Sequence, residues 1–193
     1  VVIALLKSID PAWKIALAGN YHPEIEKDIF DYCLASSLQF DDAVLKERIA
    51  EGKPSTYYTC CTENYPNGFT FSPPAEHVWL GWYAAARGFT GYLRWAYNSW
   101  VADPLRDSRF RSWPAGDTYQ VYPGPRTSIR FEKLIEGIQD FEKIKLLQKE
   151  FATKGDTQSL KKLDDVLQQF KIEKLKTIPA EEMILQAKSI LNK

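Results

Sequence analysis

The chain has 193 residues, and its 25 lysine and arginine side chains are balanced by 25 aspartate and glutamate side chains. A chain of this length can bury a substantial apolar core, so a single domain is expected. The charge balance excludes the basic surface with which proteins bind nucleic acid or anionic membranes, and it favours an uncharged substrate. No apolar run approaches the ~20 residues that span a bilayer, so no transmembrane segment is expected.

The cysteines and histidines are too few and too badly spaced for a metal site. Cys33, Cys60 and Cys61 cannot all pair within one chain, and a disulfide between adjacent cysteines is strained, so three free thiols are expected. No C-x-x-C spacing occurs, and only His22 and His77 could add imidazole ligands. We therefore expect neither a metal ion nor a cofactor.

The first sixty residues predict strands that alternate with helices. The apolar residues at positions 1–6 are typical of the end of a helix that belongs to a longer protein. Short apolar runs, or runs rich in Thr and Tyr, predict strands at residues 13–18, 29–35 and 55–61. Between the second and third strands, Asp41 and Asp42 are expected to cap a helix that ends near Gly52.

The middle of the chain predicts one more helix, one more strand and a long loop. Ser72 is followed by two prolines that suit a first helical turn, so a helix is expected from there until Gly88 ends it. Residues 90–96 form the fourth predicted strand. Residues 97–126 lack a periodic pattern, and a loop of that length is usually functional or disordered. Its aromatic content argues against disorder.

From Ser128 onward the chain predicts three amphipathic helices whose Lys and Glu residues face solvent. The predicted inner faces of the first two consist of Phe131, Leu134, Ile135, Ile138 and Phe141, then of Leu160, Leu163, Val166, Leu167 and Phe170. Pro179 is expected to open the third. We predict that residues 1–150 form one domain and that residues 151–193 are a helical extension packed on or beside it.

The predicted strands are apolar throughout rather than alternating, which indicates a parallel sheet covered on both faces. Four such strands with a closing helix are half of an eight-stranded barrel, which in full takes about 250 residues. The predicted fold is therefore α/β, the C-terminal half of a (β/α)8 TIM barrel with extra C-terminal helices. A doubly wound sheet is the alternative. Half a barrel would expose unpaired strand edges.

Aromatic side chains are concentrated between residues 57 and 122. Rings with polar tips are typical of ligand sites and interfaces. Trp95, Tyr97, Asn98 and Trp100 lie at the carboxyl end of the fourth predicted strand, and the carboxyl ends of parallel strands carry the sites of α/β proteins. They predict a surface where rings stack on a sugar and Asn98 binds its hydroxyl groups. The alternative is that two of these four residues belong to the core.

Arg94 lies inside the same apolar strand, where a buried guanidinium needs a carboxylate partner. Asp107, Asp117 and Glu63 are the candidate partners. For each of them a structural ion pair is favoured over a catalytic role. Of these three residues, Glu63 has the position most typical of a binding-site residue, because it follows the third predicted strand directly.

Several short sequence motifs occur in this chain in the same order as in one protein family. They are Tyr57-Tyr58-Thr59-Cys60-Cys61, Phe71-Ser72-Pro73-Pro74-Ala75-Glu76, the run from Gly88 to Trp100, and Trp113-Pro114-Ala115-Gly116-Asp117. With them the chain resembles the domain-of-unknown-function family 4091, which is similar to the catalytic domain of glycoside hydrolase family 123. Residues 128–132 and 136–142 resemble the closing barrel helix of that family. The resemblance covers roughly residues 13–147.

The resemblance implies a retaining glycosidase that removes terminal N-acetylgalactosamine residues by substrate-assisted catalysis. In that mechanism the acetamide oxygen of the substrate attacks the anomeric carbon. One carboxylate orients the acetamide, and its neighbour protonates the leaving oxygen. The family carries both on an Asp-Glu pair at an earlier strand end. This chain contains no Asp-Glu dipeptide, so the pair is expected upstream of Val1 and the chain alone is expected to be inactive.

The resemblance also assigns residues, partners and a location. The expected substrate-binding residues are Trp95, Tyr97, Asn98 and Trp100, with Tyr58 as a weaker candidate and Glu63 added for its position after a strand. The expected partners are a carbohydrate substrate and the N-terminal half of the same barrel. Export to the periplasm or the cell surface is expected. The alternative function is a non-catalytic carbohydrate-binding or scaffolding domain that keeps the rings.

Overall fold

The computed structural model describes residues 1–38, 40–124 and 126–192. Pro125, in the predicted loop, and Lys193, at the end of the predicted extension, lie outside the described residues. The strands are β1 (Ile15–Gly19), β2 (Ile29–Ala35), β3 (Ser55–Thr59) and β4 (Gly91–Arg94). The α-helices are α1 (Val2–Ile9), α2 (Asp42–Ala50), α3 (Ala75–Arg87), α4 (Ile129–Lys154), α5 (Thr157–Leu167) and α6 (Ala180–Lys188). Short 3₁₀ helices occupy Pro23–Asp28, Ile172–Lys176 and Ser189–Asn192.

The four strands form one sheet in the order β1-β2-β3-β4, which confirms the α/β prediction with a four-stranded parallel sheet. The prediction of uniformly buried strands was wrong for three of them. None of the four residues of β4 is buried, and Leu93 is 42% exposed. β1 alternates between half-buried and exposed residues, and β3 alternates between buried and half-buried ones. β1 stands at the end of the strand order, so it has a neighbouring strand on one side in this part of the chain. Among the described helices, each is too short or too polar to cross a membrane.

The chain divides into two compact units, the first made of Val1–Tyr58 and Phe89–Leu93. Arg48 on α2 is fully buried there. Its guanidinium donates to Glu26 Oε1 at 2.8 Å and to the Phe30 carbonyl oxygen at 2.9 Å. Asp41 caps α2 as predicted, since its side chain accepts a hydrogen bond from the backbone N–H of Ala43.

The second unit consists of Thr59–Gly88 and Arg94–Lys193, and α3 packs against α4 within it. The predicted inner face of α4 was wrong in part: Leu134 is buried and Phe131, Ile135 and Phe141 are half-buried, but Ile138 is 51% exposed. The residues of α4 that are buried are Arg130, Leu134, Gly137, Asp140 and Ile144. Glycine is required at position 137, because a Cβ atom there would lie 2.7 Å from the His77 carbonyl oxygen on α3.

The ends of α3 and α4 can be compared with the helix boundaries that the sequence predicted. Ser128 caps α4, because its hydroxyl oxygen accepts from the Phe131 N–H at 3.1 Å. Ser72 does not cap α3, which begins at Ala75. The Ser72 hydroxyl instead donates to Asn67 Oδ1 at 2.5 Å. Gly88 ends α3, as predicted, and it adopts the left-handed conformation.

Candidate functional site

The segment that leaves β4 pairs antiparallel with a later part of the long loop. Asn98 and Tyr119 form an antiparallel bridge. The Tyr97 carbonyl oxygen accepts from the Gln120 N–H at 2.8 Å. The backbone that carries the predicted sugar-binding residues is therefore held in place by hydrogen bonds, although it lies outside the regular sheet.

All four residues predicted for this segment are exposed. The exposed fractions are 48% for Trp95, 48% for Tyr97 and 43% for Trp100, and Asn98 is exposed as well. The alternative that two of the four belong to the core is therefore wrong. Three large rings that face solvent within six residues form an apolar surface beside an amide that can donate and accept hydrogen bonds.

Each of the three rings is anchored by a different neighbour. Trp95 packs edge-on against Trp113, with 6.5 Å between the ring centroids. Tyr97 packs edge-on against Phe131 of α4, with 5.7 Å between the centroids. The Trp100 Nε1–H donates to the carbonyl oxygen of Val121 at 2.8 Å. A ring that is fixed along one edge loses little further conformational entropy when a ligand stacks on it.

The other two predicted substrate-binding residues do not belong to the segment that follows β4. Tyr58 belongs to the first unit; it is half-buried in β3, and its carbonyl oxygen accepts from the Ser36 N–H at 2.8 Å. Glu63 belongs to the second unit and is buried. Glu63 Oε2 accepts from the Cys60 N–H at 2.8 Å and from Thr62 Oγ1 at 3.2 Å, so this carboxylate braces the turn that follows β3.

Of the three carboxylates that the sequence suggested as partners of Arg94, Asp117 is the one that pairs with it. Arg94 Nη2 lies 3.6 Å from Asp117 Oδ1, and both side chains are buried. The guanidinium also donates to two backbone carbonyl oxygens, that of Asp117 at 2.8 Å and that of Thr59 at 3.0 Å. Asp107, by contrast, is exposed and pairs with Arg109. The end of β4 is thus tied by its arginine to the end of β3 and to the long loop.

Burial shapes the electrostatics around Arg94. Burial raises the pKa of Asp117, the Arg94 charge opposes this rise, and the charge of Glu63 adds to it. Burial also lowers the pKa of His77 to about 3, so its imidazole is neutral. With its amide nitrogen directed at His77 Nε2 (2.9 Å), Gln120 accepts from Arg94 Nε at 2.7 Å through its amide oxygen.

The sequence reasoning missed the buried polar residues that support the site. Arg130 donates to the Gly116 carbonyl oxygen at 2.8 Å and to the Gly68 carbonyl oxygen at 3.0 Å. Both glycines have positive φ angles, and a Cβ atom on Gly116 would lie 2.8 Å from Arg130 Nη1. These glycines are the signal that could have indicated a tightly packed polar network with His77 and Arg130.

Anchored, exposed rings beyond a strand end of a parallel α/β protein are typical of sites that bind ligands with flat apolar faces, of which sugars are one. The described residues contain no group of three or more His, Cys, Asp or Glu side chains that could hold a metal ion. Cys33, Cys60 and Cys61 are free thiols.

The chain belongs to glycoside hydrolase family 123, because the family model for "Glycoside hydrolase 123, catalytic domain" matches residues 1–147. Thirteen chains of solved structures match it. One is a family 123 glycoside hydrolase from Clostridium perfringens, studied for the details of glycolipid glycan hydrolysis, with 23% identity and a TM-score of 0.79. At that sequence identity, the comparison shows that the two chains share a fold and no more. The match covers 99% of this chain and 37% of the Clostridium chain. No curated protein matches.

Proposed function

We propose that this chain is the C-terminal half of a (β/α)8 barrel in a glycoside hydrolase that removes terminal N-acetylated hexosamine residues, with N-acetylgalactosamine as the expected sugar. Membership of family 123 and the four-stranded parallel sheet support this proposal. Residues 1–150 are assigned to the barrel and residues 151–193 to a helical extension. The catalytic Asp-Glu pair is placed in a preceding part of the protein, since this sequence has no such dipeptide.

The apolar surface of the first unit supports the half-barrel assignment. None of the eight residues of α1, all of which the structure describes, is buried, although most of them are apolar. Val2, Leu5 and Ile9 are exposed, and a groove between α1 and β1 is lined mainly by apolar side chains. An apolar helix beside a terminal strand is stable when another layer covers it. The proposed cover is the N-terminal half of the same barrel.

The observation that carries the proposed substrate class is the exposed and anchored pair of rings after β4. Trp95 and Tyr97 would stack on the C–H face of the terminal sugar. A neutral sugar can bind to these two rings without a charged group on the protein. This agrees with the equal numbers of basic and acidic side chains in the chain. The proposed substrate-binding residues on this surface are Trp95, Tyr97, Asn98 and Trp100.

The proposed reaction is substrate-assisted hydrolysis with retention. The acetamide oxygen of the bound sugar forms a bond to the anomeric carbon while the glycosidic C–O bond breaks. The leaving oxygen takes a proton from the upstream acid, and a water molecule then opens the cyclic intermediate and returns a proton to that residue. The part of this chain is to bind and orient the sugar ring.

The test is hydrolysis of an aryl N-acetyl-galactosaminide by the full-length protein, with the stereochemistry of the product followed by NMR. Trp95→Ala and Tyr97→Ala should each lower kcat/KM about tenfold, which corresponds to ~1.4 kcal/mol of lost stacking. Leu146→Ala is the matched control, because Leu146 is an exposed apolar residue of α4.

Absence of turnover across a panel of acetamido sugars would refute the hydrolase proposal. Binding of the same sugars without turnover would establish the non-catalytic carbohydrate-binding alternative. An unchanged kcat/KM in the Trp95 and Tyr97 variants would refute the assigned site while leaving the activity in place. The 193-residue chain alone should show no turnover, because the acid pair is assigned to a preceding segment.

A further inference from the structure

A row of aromatic rings leads from Trp95 to an exposed cation. Trp95 contacts Trp113, with 6.5 Å between centroids, and Trp113 contacts Phe110, with 5.4 Å between centroids. The guanidinium carbon of Arg111 lies 5.3 Å from the centroid of the Phe110 ring. All four residues belong to the second unit, so the row is continuous within one compact body.

Arg111 differs from the other arginines of this loop. Among the residues that the structure describes, it is the sole non-glycine residue with a positive φ angle, 56°. Such a conformation costs energy for a residue with a side chain, and it recurs at functional sites. Arg111 is exposed, and it has no carboxylate partner in the described part of the chain. Arg109 is also exposed, but its guanidinium is paired with Asp107 at 2.7 Å.

The loop is locally cationic although the chain as a whole is balanced. Residues 101–113 carry three arginines and two aspartates, and one of those aspartates is already paired within the loop. The Phe110 ring contacts the Arg111 guanidinium on one side, and because Arg111 is exposed its N–H groups are accessible to a ligand. A planar guanidinium with a free edge is suited to bind two oxygens of one anionic group.

We propose that Arg111 is a specificity-determining residue that binds an anionic group, a sulfate ester or a carboxylate, on the glycan whose terminal sugar stacks on Trp95. The inference rests on the proposed function and narrows its substrate class to acidic N-acetylhexosamine glycans. The ring row connects the two subsites: Trp95 contacts the sugar, and Arg111 contacts the charge that the same glycan carries.

The test compares three ligands in binding to the full-length protein, measured by calorimetry. They are a neutral N-acetylhexosamine disaccharide, the same disaccharide with a sulfate ester, and one in which the second sugar is a uronic acid. We expect at least one acidic ligand to bind about tenfold more tightly than the neutral one. This preference should shrink at about 1 M salt, where charges are screened beyond ~3 Å.

Two variants distinguish the contribution of the Arg111 guanidinium from that of the backbone conformation at this position. Arg111→Gly keeps the left-handed backbone accessible and should abolish the preference while the affinity for the neutral ligand stays unchanged. Arg111→Lys keeps the charge without the planar fork and should retain part of the preference. Arg126→Ala is the matched control, because Arg126 is exposed and its guanidinium contacts a backbone carbonyl oxygen, that of Pro123. It should leave the preference intact.

The outcomes distinguish this inference from the proposed function. Equal binding of neutral and acidic ligands by the wild-type protein overturns the role of Arg111 and leaves the hydrolase proposal standing. A preference that survives in Arg111→Gly also overturns it. Failure to bind any of the three ligands overturns both. A preference for the sulfated ligand alone, or for the uronate alone, supports the inference and identifies the anion. If Arg111→Gly does not fold, the lysine variant and the salt dependence decide.

Discussion

Replacing Arg94 with methionine should destabilise the unit that carries the candidate site. Methionine keeps the apolar stem of the side chain and removes the guanidinium. The buried Asp117 carboxylate would then lose its cation, and the carbonyl oxygens of Asp117 and Thr59 would lose their donors. The structure therefore predicts a large effect from a residue that has little contact with solvent.

The geometry sets the size of the loss. Two unit charges 3.6 Å apart attract each other by about 4.6 kcal/mol at an effective dielectric constant of ~20. Removal of one partner of a buried pair typically costs ~3–5 kcal/mol. Protonation of Asp117 in the variant limits the loss, because a neutral carboxyl group is less costly to bury. We expect Arg94→Met to lower the free energy of unfolding by about 4 kcal/mol near neutral pH.

The loss should depend on pH. The folded-state pKa of Asp117 is raised, so the stability linked to this group is fully present below its unfolded pKa and is lost as the pH rises through the folded pKa. Without Arg94 the folded pKa rises further. The difference between variant and wild type should therefore be smaller at about pH 5 than at about pH 8.

The assay is urea unfolding of the full-length protein, followed by tryptophan fluorescence at both pH values. Arg126→Met, at an exposed position, is the control and should stay within about 0.5 kcal/mol of wild type. The double variant Arg94→Met/Asp117→Asn should be less unstable than the two single effects combined, by about 2 kcal/mol. The reasoning fails if Arg94→Met matches the control, or if its cost is the same at both pH values.

Three further outcomes are expected. Gly137→Ala should lower the free energy of unfolding by about 1–3 kcal/mol, because its Cβ atom would lie 2.7 Å from the His77 carbonyl oxygen; an unchanged thermal midpoint would contradict the tight contact of α3 and α4. Ser128→Ala should cost about 1 kcal/mol, because the cap of α4 is lost; Ser128→Asp, measured in the same urea titration, should recover most of it. The isolated 193-residue chain should associate or unfold readily, because α1 and β1 expose apolar surface; a monodisperse monomer with a cooperative melt, seen by light scattering and calorimetry, would count against the half-barrel proposal.

Features that depend on neighbouring residues could be predicted from the sequence. The bounds of β2 agree with the predicted strand, Asp41 caps α2 as expected, and α4 begins next to Ser128, where the helical pattern was predicted to begin. The four exposed residues after β4 were also found by position, because aromatic residues follow an apolar strand there. In each case the deciding hydrogen bond or pattern lies within a few residues.

Features that depend on distant residues could not be predicted in the same way. The inner face of α4 was assigned to its apolar residues, yet Gly137 and Asp140 are buried and Ile138 is exposed. The reason is that α3 approaches α4 closely at Gly137, while Asp140 accepts a hydrogen bond from Trp82 Nε1 at 2.8 Å. Both partners lie more than fifty positions away in the chain.

The sequence by itself determined the order of strands and helices, the cap of α2 and the aromatic segment, because these follow from local hydrogen bonding and periodicity. The tertiary structure alone decided that Asp117, among three carboxylates, meets Arg94. It also decided that Trp95 and Tyr97 are each about half exposed, and that a row of ring contacts connects Trp95 to Arg111. The spacing of residues in the sequence cannot predict which of these contacts form, because each depends on how the long loop folds back onto the end of β4.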